Sequence, residues 1–345
     1  MKRYQVLDRL LPLWILLAMA AGLLLGRVVP NLQEVLGAVT VGQTSVPIAL
    51  GLLMMLYPVL AKVRYGELGV VLRDRRLLTL ALVLVWGLGP LLMFGLAWWF
   101  LPDQPALRTG LIMIGLAPCI AMVLIWIDLA QGDREAAAVL VAINSILQVL
   151  LYALLGGFYL QILPGWLGLD SQLVTFSMGE IAKAVVIFLG IPLAAGFLTR
   201  RIGVRSKGIR WYEQTFLPKL SPWALYGLLF TVVVMFALQG KAITSDPLQV
   251  AVVAIPLVLY FLIMWGLAFV LGRFFGLDYP RTTTLAFTAA GNNFELAIAV
   301  SISVWGASSQ QALAGVIGPL IEVPILVGLV YVSLAFKRWL FRSPN

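Results

Sequence analysis

The sequence has no histidine, a single cysteine and few charges, with only 11% of its 345 residues being Asp, Glu, Lys or Arg. Without histidine there is no imidazole to bind a metal or relay a proton. One cysteine allows neither an intrachain disulfide nor a Cys/His zinc site. Any proton coupling must therefore use a carboxylate. A chain that is 61% hydrophobic cannot be an ordinary soluble globular domain, which leaves a polytopic, all-α membrane protein. No glycine loop of the phosphate-cradling type is present, which argues against ATP hydrolysis by this chain. The residues point to no enzyme chemistry and call for no cofactor.

Ten apolar segments have about the length needed to cross a bilayer: residues 10–29, 44–61, 77–101, 109–127, 137–162, 181–198, 223–238, 248–271, 282–304 and 312–336. With the amino terminus in the cytoplasm, twenty of the 24 basic residues fall on the cytoplasmic side, the exceptions being Arg27, Arg108, Lys183 and Lys241. That bias orients a cell-membrane protein with both termini inside. The net charge of +9 is then a topology signal. A nucleic-acid partner is not implied, because the basic residues sit at span ends and form no continuous patch. The first span, with Ala18-Met19-Ala20 near its end, has the look of a signal peptide, but the repeat described next marks it as a retained helix.

Transporter folds often carry weak internal repeats. Here Ala20-Ala21-Gly22-Leu23-Leu24 matches Ala194-Ala195-Gly196-Phe197-Leu198, and Pro47, Ala49 and Leu50 match Pro222, Ala224 and Leu225. Gly95-Leu96-Ala97 matches Gly266-Leu267-Ala268, and Arg108-Thr109 matches Arg281-Thr282. Asn144 to Val149 lies over Gly318 to Val323, which makes Gln148 the mate of Glu322. The chain then divides into a first five-helix repeat, 1–172, and a second, 173–345. An odd number of spans forces the second copy to enter from the opposite side, the inverted-repeat plan of secondary transporters.

Within this plan the ninth span carries Gly291, Asn292, Asn293 and Glu295 in an otherwise apolar run. Ionisable groups inside a span are costly and mark functional sites by default. Gly291 weakens the helix. At a separation of 173 it falls on Pro118, which leaves the carbonyl of Ile114 without its helical partner. The fourth and ninth helices are therefore expected to be broken and to cross, with Cys119 aligned on Asn292. A cysteine in an apolar helix is often a small hydrophobe, yet at such a site its sulfur suits a thiophilic substrate. Glu322 is the second deep acid, either a proton carrier with Glu295 or a partner in an interhelical hydrogen bond. Asn144, Ser145 and Gln148 are secondary candidates. Weaker ones are Trp126, read as packing or an interface anchor, and Asp128.

The motifs Tyr57-Pro58-Val59-Leu60-Ala61-Lys62-Val63, Leu116 to Val123 around Pro118-Cys119, Asn144-Ser145, Gly291 to Val300 and Gly318 to Pro324 resemble the arsenite permease family of arsenical-resistance proteins. That family belongs with the bile acid and riboflavin transporters in one ten-span superfamily. The resemblance implies export of trivalent arsenic as arsenite, with antimonite as a candidate second substrate and protons as the exchanged ion. It matches Cys119 and Glu295 to the family's functional cysteine and glutamate. Asn292 and Asn293 would hydrogen-bond the arsenite hydroxyls. Ser145 stands where some members have an acid, which leaves the coupling role of that helix open. Two alternatives stand beside this reading: sodium-coupled transport of an organic anion, and a membrane sensor that binds a ligand without moving it.

The charge bias generates a topology test. A cysteine introduced at Lys207 is expected to react with an impermeant thiol reagent from the cytoplasm, and one at Asp170 from outside. Reaction of both from one side would contradict the span count.

Overall fold

A computed structural model describes residues 10–29, 31, 32, 35, 38–41, 44–63, 74–169 and 176–341. Asp170 and the expected repeat boundary at 172–173 lie outside the described residues. Six helices are long and apolar enough to cross a membrane, and shorter apolar helices accompany them. The rods are α1 (Leu11–Val28), α2 (Val46–Lys62), α3 (Arg75–Phe100), α4 (Pro105–Gly115), α5 (Val123–Leu129) and α6 (Arg134–Trp166). Met178–Ser245 is one helical run except at Gly208, whose φ of 82° belongs to the region where glycine alone is unstrained. That turn separates α7 (178–207) from α8 (209–245). The chain continues as α9 (Pro247–Phe274), α10 (Tyr279–Ala290), α11 (Phe294–Trp305) and α12 (Gln310–Leu340). The basic stretch between the expected sixth and seventh spans is thus helical, with a single-residue break, where a loop was expected. A two-residue hairpin, Thr40–Val41 with Thr44–Ser45, is the one departure from helix among named elements of the described residues.

Helix starts follow local chemistry. Asp74, Asp133, Asp246, Asp278 and Ser309 each accept a hydrogen bond from a first-turn backbone N–H, which satisfies donors that a helix cannot pair by itself. Prolines occupy the first turns of α4, α9 and α10, where a missing N–H costs nothing.

Large apolar side chains such as Leu17, Leu24, Leu150, Leu154, Ile255 and Val270 are exposed, as helices facing hydrocarbon require. The helices differ in how far they are enclosed. One third of the α1 window is buried against 67% for α12, so α12 is an interior helix. The short helices beside it go further, with residues 107–115 and 282–290 buried throughout.

Packing is close where glycine lets backbones approach. A Cβ on Gly22 of α1 would lie 2.6 Å from the Val233 carbonyl oxygen of α8, and one on Gly196 of α7 would lie 2.9 Å from the Ala61 nitrogen of α2. Without a hydrophobic drive between helices in lipid, such small-residue contacts carry the association. The two broken rods are tied at their starts by arginines. Arg108 lies over the Trp98 ring at 3.6 Å and donates to the Leu101 and Pro102 carbonyls. Arg281 pairs with Asp74 at 3.2 Å and Asp133 at 3.8 Å.

Gly318 of α12 faces the Phe294 ring, and a Cβ there would overlap it. Gly318→Ala is therefore expected to destabilise the protein by about 1–3 kcal/mol, the scale of core overpacking. Shrinking the partner in Gly318→Ala/Phe294→Leu should restore part of that loss. Melting temperatures of the purified variants check this, and an unchanged value for Gly318→Ala would refute it.

Candidate functional site

The two segments expected to be broken, 109–127 and 282–304, are both interrupted. α4 ends at Gly115 and α5 begins at Val123; α10 ends at Ala290 and α11 begins at Phe294. The two extended segments cross antiparallel, with Pro118 bridged to Asn292. The Cys119 N–H donates to the Gly291 carbonyl at 3.0 Å, and the Asn293 N–H donates to the Ala117 carbonyl at 2.6 Å. Each break thereby supplies partners for backbone groups that the other has freed. The sequence aligns Pro118 with Gly291 and Cys119 with Asn292, whereas the bridge pairs residues one position further on. Cys119 consequently lies against Gly291, and a Cβ on Gly291 would stand 3.0 Å from the Cys119 Cβ and 3.2 Å from the Phe287 carbonyl.

Side-chain amides complete the pairing. The Ile114 carbonyl, deprived of its helical donor by Pro118, accepts from Asn292 Nδ2 at 3.1 Å as well as from the Ala117 N–H. Gln148 of α6 donates through Nε2 to the Pro118 carbonyl at 2.9 Å and accepts through Oε1 from Asn293 Nδ2 at 3.1 Å. Asn293 Oδ1 caps α11 by accepting from the Leu296 N–H at 3.1 Å.

Acceptors remain over after this pairing. Asn292 Oδ1, Glu295 Oε1 and both carboxylate oxygens of Glu322 are buried and have no hydrogen-bond partner among the described residues. Glu295, in the first turn of α11, is 3% exposed and Glu322 is 0% exposed. Glu322 Oε1 lies 3.7 Å from the position a Gly291 Cβ would take. Cys119 and Glu322 both lie against Gly291, and Asn292 and Glu295 follow it on the same break, so the acceptors and the one sulfur share a single buried region. The Cys119 side chain also faces the backbone amides of Ala121 and Val123. Unpaired buried acceptors are expensive. This region is built to receive donors (hydroxyl hydrogens, a proton or a cation) beside one soft sulfur. No group of three His, Cys, Asp or Glu that could hold a metal ion occurs among the described residues.

The other candidates separate. Asn144 Oδ1 accepts from Trp86 Nε1 of α3 at 3.0 Å, and the Ser145 hydroxyl bonds back to the Val141 carbonyl at 2.7 Å. These bonds lead away from the breaks, whereas Gln148 sits on them. Trp126 is 0% exposed, so it packs in the interior and is no interface anchor. Asp128 is tied to Arg134 at the surface. Tyr260 of α9, absent from the candidates, is buried with its hydroxyl facing the Asn292 side chain. Nothing in the sequence distinguishes it from the tyrosines that anchor span ends.

The model of the sodium bile acid symporter family matches residues 49–246, a stretch that includes the first break. An arsenical-resistance protein Acr3 of Corynebacterium glutamicum is 58% identical over 99% of this chain and 92% of its own length. A second Acr3, from Alkaliphilus metalliredigens, is 31% identical over 96% of this chain and 93% of its own. An uncharacterized transporter of Synechocystis is 33% identical over 98% and 91%. These relatives are transporters and not enzymes. The chain accordingly belongs to the sodium bile acid symporter family and, within it, to the arsenical-resistance permeases.

Proposed function

We propose that this membrane transporter exports arsenite, as the neutral trihydroxide, in exchange for protons. The observation that carries this reading is the crossed pair of breaks, where one buried sulfur and unpaired carboxylate and amide oxygens meet in a chain related to arsenical-resistance proteins. Cys119 contacts arsenic through sulfur, a soft ligand for a soft atom. Asn292 and Asn293 hydrogen-bond the arsenite hydroxyls. Glu295 holds the proton and the substrate in alternation, and Glu322 takes part in the proton path. A single cysteine supplies one sulfur contact, so the remaining recognition falls to oxygen and amide groups.

Ten crossings arranged as two inverted repeats, 1–172 and 173–345, with both termini cytoplasmic, complete the reading. Helix neighbours support it. α1 packs on α8 as α7 packs on α2, α3 on α4 as α9 on α10, α4 on α12 as α10 on α6, and α5 on α6 as α11 on α12. The matched glycines Gly22 and Gly196 make corresponding close approaches. A second reading, sodium-coupled transport of an organic anion, is favoured by the family match and by the hard oxygen acceptors left unpaired.

Arsenite flux in proteoliposomes with pH and sodium gradients imposed separately distinguishes the two. Flux that follows the pH gradient alone is expected, and flux that follows only sodium would replace this reading with the second. Glu295→Gln keeps the size of the side chain but cannot titrate. It should abolish pH-driven exchange in a folded protein, and wild-type flux in that variant would remove Glu295 from the coupling.

Cys119→Ser and Cys119→Ala should each lower arsenite flux per mole of inserted protein by about tenfold or more, the scale of one lost contact of about 1.4 kcal/mol. If sulfur only fills space, Cys119→Ser transports nearly normally, because a serine in a span satisfies itself at modest cost. Near-normal flux in both variants would exclude a sulfur–arsenic contact.

A further inference from the structure

We infer that Gln148 is a positioning residue that holds the two breaks in register and sets which way the Asn293 amide points. The role deepens the transport reading above and rests on it only for the transport measurement. Gln148 is fully buried on α6, and its two polar atoms go to different breaks, Nε2 to the Pro118 carbonyl and Oε1 to Asn293 Nδ2.

The polarity of this chain of bonds is dictated from one end. A proline carbonyl can only accept, so Gln148 must present its NH2 there and its oxygen to Asn293. Asn293 must then donate through Nδ2, which leaves its Oδ1 for the Leu296 N–H at the start of α11. Each NH2 carries two hydrogens, and the bond to Gln148 uses one of those on Asn293. The other stays available for a substrate oxygen. The repeat mate of Gln148, Glu322, makes no such bonds. A neutral amide is required at position 148 because an ionised carboxylate would offer no donor to the Pro118 carbonyl.

The test uses the full chain and its one cysteine, which lies next in sequence to Pro118. Gln148→Met preserves volume and removes both bonds. In purified folded protein the rate of Cys119 modification by N-ethylmaleimide should rise about tenfold, and in proteoliposomes the KM for arsenite should rise about tenfold, for the loss of buried hydrogen bonds. Gln148→Glu covers the case in which Gln148→Met fails to fold. When protonated it reproduces both bonds, and when ionised it loses the donor to Pro118. Its Cys119 reactivity should therefore match wild type at acid pH and exceed it at alkaline pH. The other titratable groups at the breaks are Glu295, Glu322, Tyr260 and Cys119 itself. An ionised carboxylate at position 148 repels the Cys119 thiolate and so lowers its reactivity, which makes a ratio to wild type above one at alkaline pH a report of the loosened break against that opposing effect. A Gln148→Met protein equal to wild type in both measurements, or a pH-independent ratio for Gln148→Glu, would overturn the inference. A wild-type chain that carries no arsenite would overturn the transport reading while leaving the cysteine result to stand on its own.

Discussion

Hydrocarbon offers no hydrogen bonds, and the structure is arranged around that fact. Interrupting a helix inside a membrane frees N–H and carbonyl groups that each cost several kcal/mol if left alone. Two interruptions are tolerated here because they are brought against each other. The Cys119 and Asn293 N–H groups find the Gly291 and Ala117 carbonyls, and the asparagine and glutamine amides take up the Ile114 and Pro118 carbonyls and the Leu296 N–H. Neither break could persist without the other. The helices that carry them are correspondingly the most enclosed, with α12 behind them.

The polar side chains at the crossing fall into two groups. Asn292 Nδ2, Asn293 Oδ1 and Gln148 Nε2 are spent on backbone groups, and Gln148 Oε1 on the Asn293 amide. Asn292 Oδ1, Glu295 Oε1 and the Glu322 carboxylate are not. A buried acceptor without a donor weakens the fold, so retaining several of them together in an otherwise well-paired region is informative. In an exchanger these atoms would have an occupant in each half of the cycle, a proton in one and the substrate in the other. The rigid amide framework would keep them in place while the occupant changes.

The two halves of the crossing are related but not equivalent, and the differences are chemical. Pro118 offers only a carbonyl and is met by a donor, Gln148. On the other side Asn292 keeps its backbone N–H, and Glu322 of α12 holds no hydrogen bond among the described residues. The arginines at the starts of the broken rods diverge likewise. Arg108 is buried over an indole ring, whereas Arg281 sits in a more exposed ion-pair network with Asp74 and Asp133.

Much of this was legible in the residues because it depends on composition and local chemistry. The apolar runs are long because a bilayer is thick. Proline at 118 removes a helical donor and glycine at 291 weakens a helix, although Pro58, Pro222, Pro256, Pro319 and Pro324 stand inside continuous helices, and an acid at 295 in an apolar run has no solvent to meet. The pairing register was not legible. Separations of 171 to 175 all fit the weak repeat, and only the backbone bonds select Pro118 opposite Asn292. Nor could sequence sort the polar candidates. Asn144 and Gln148 lie four residues apart and share a face of one helix, offset by about one turn along its axis, and only the elements packed beside each turn give the first to Trp86 and the last to both breaks. Tyr260 came into the region only because α9 packs against α10. Hydrophobicity and the loss of a helical donor are properties of a residue and its neighbours in the chain, so the sequence by itself determined the membrane class and where the two breaks could form. Which buried polar atoms find partners depends on contacts across 30 to 178 positions, and only the tertiary structure decided that.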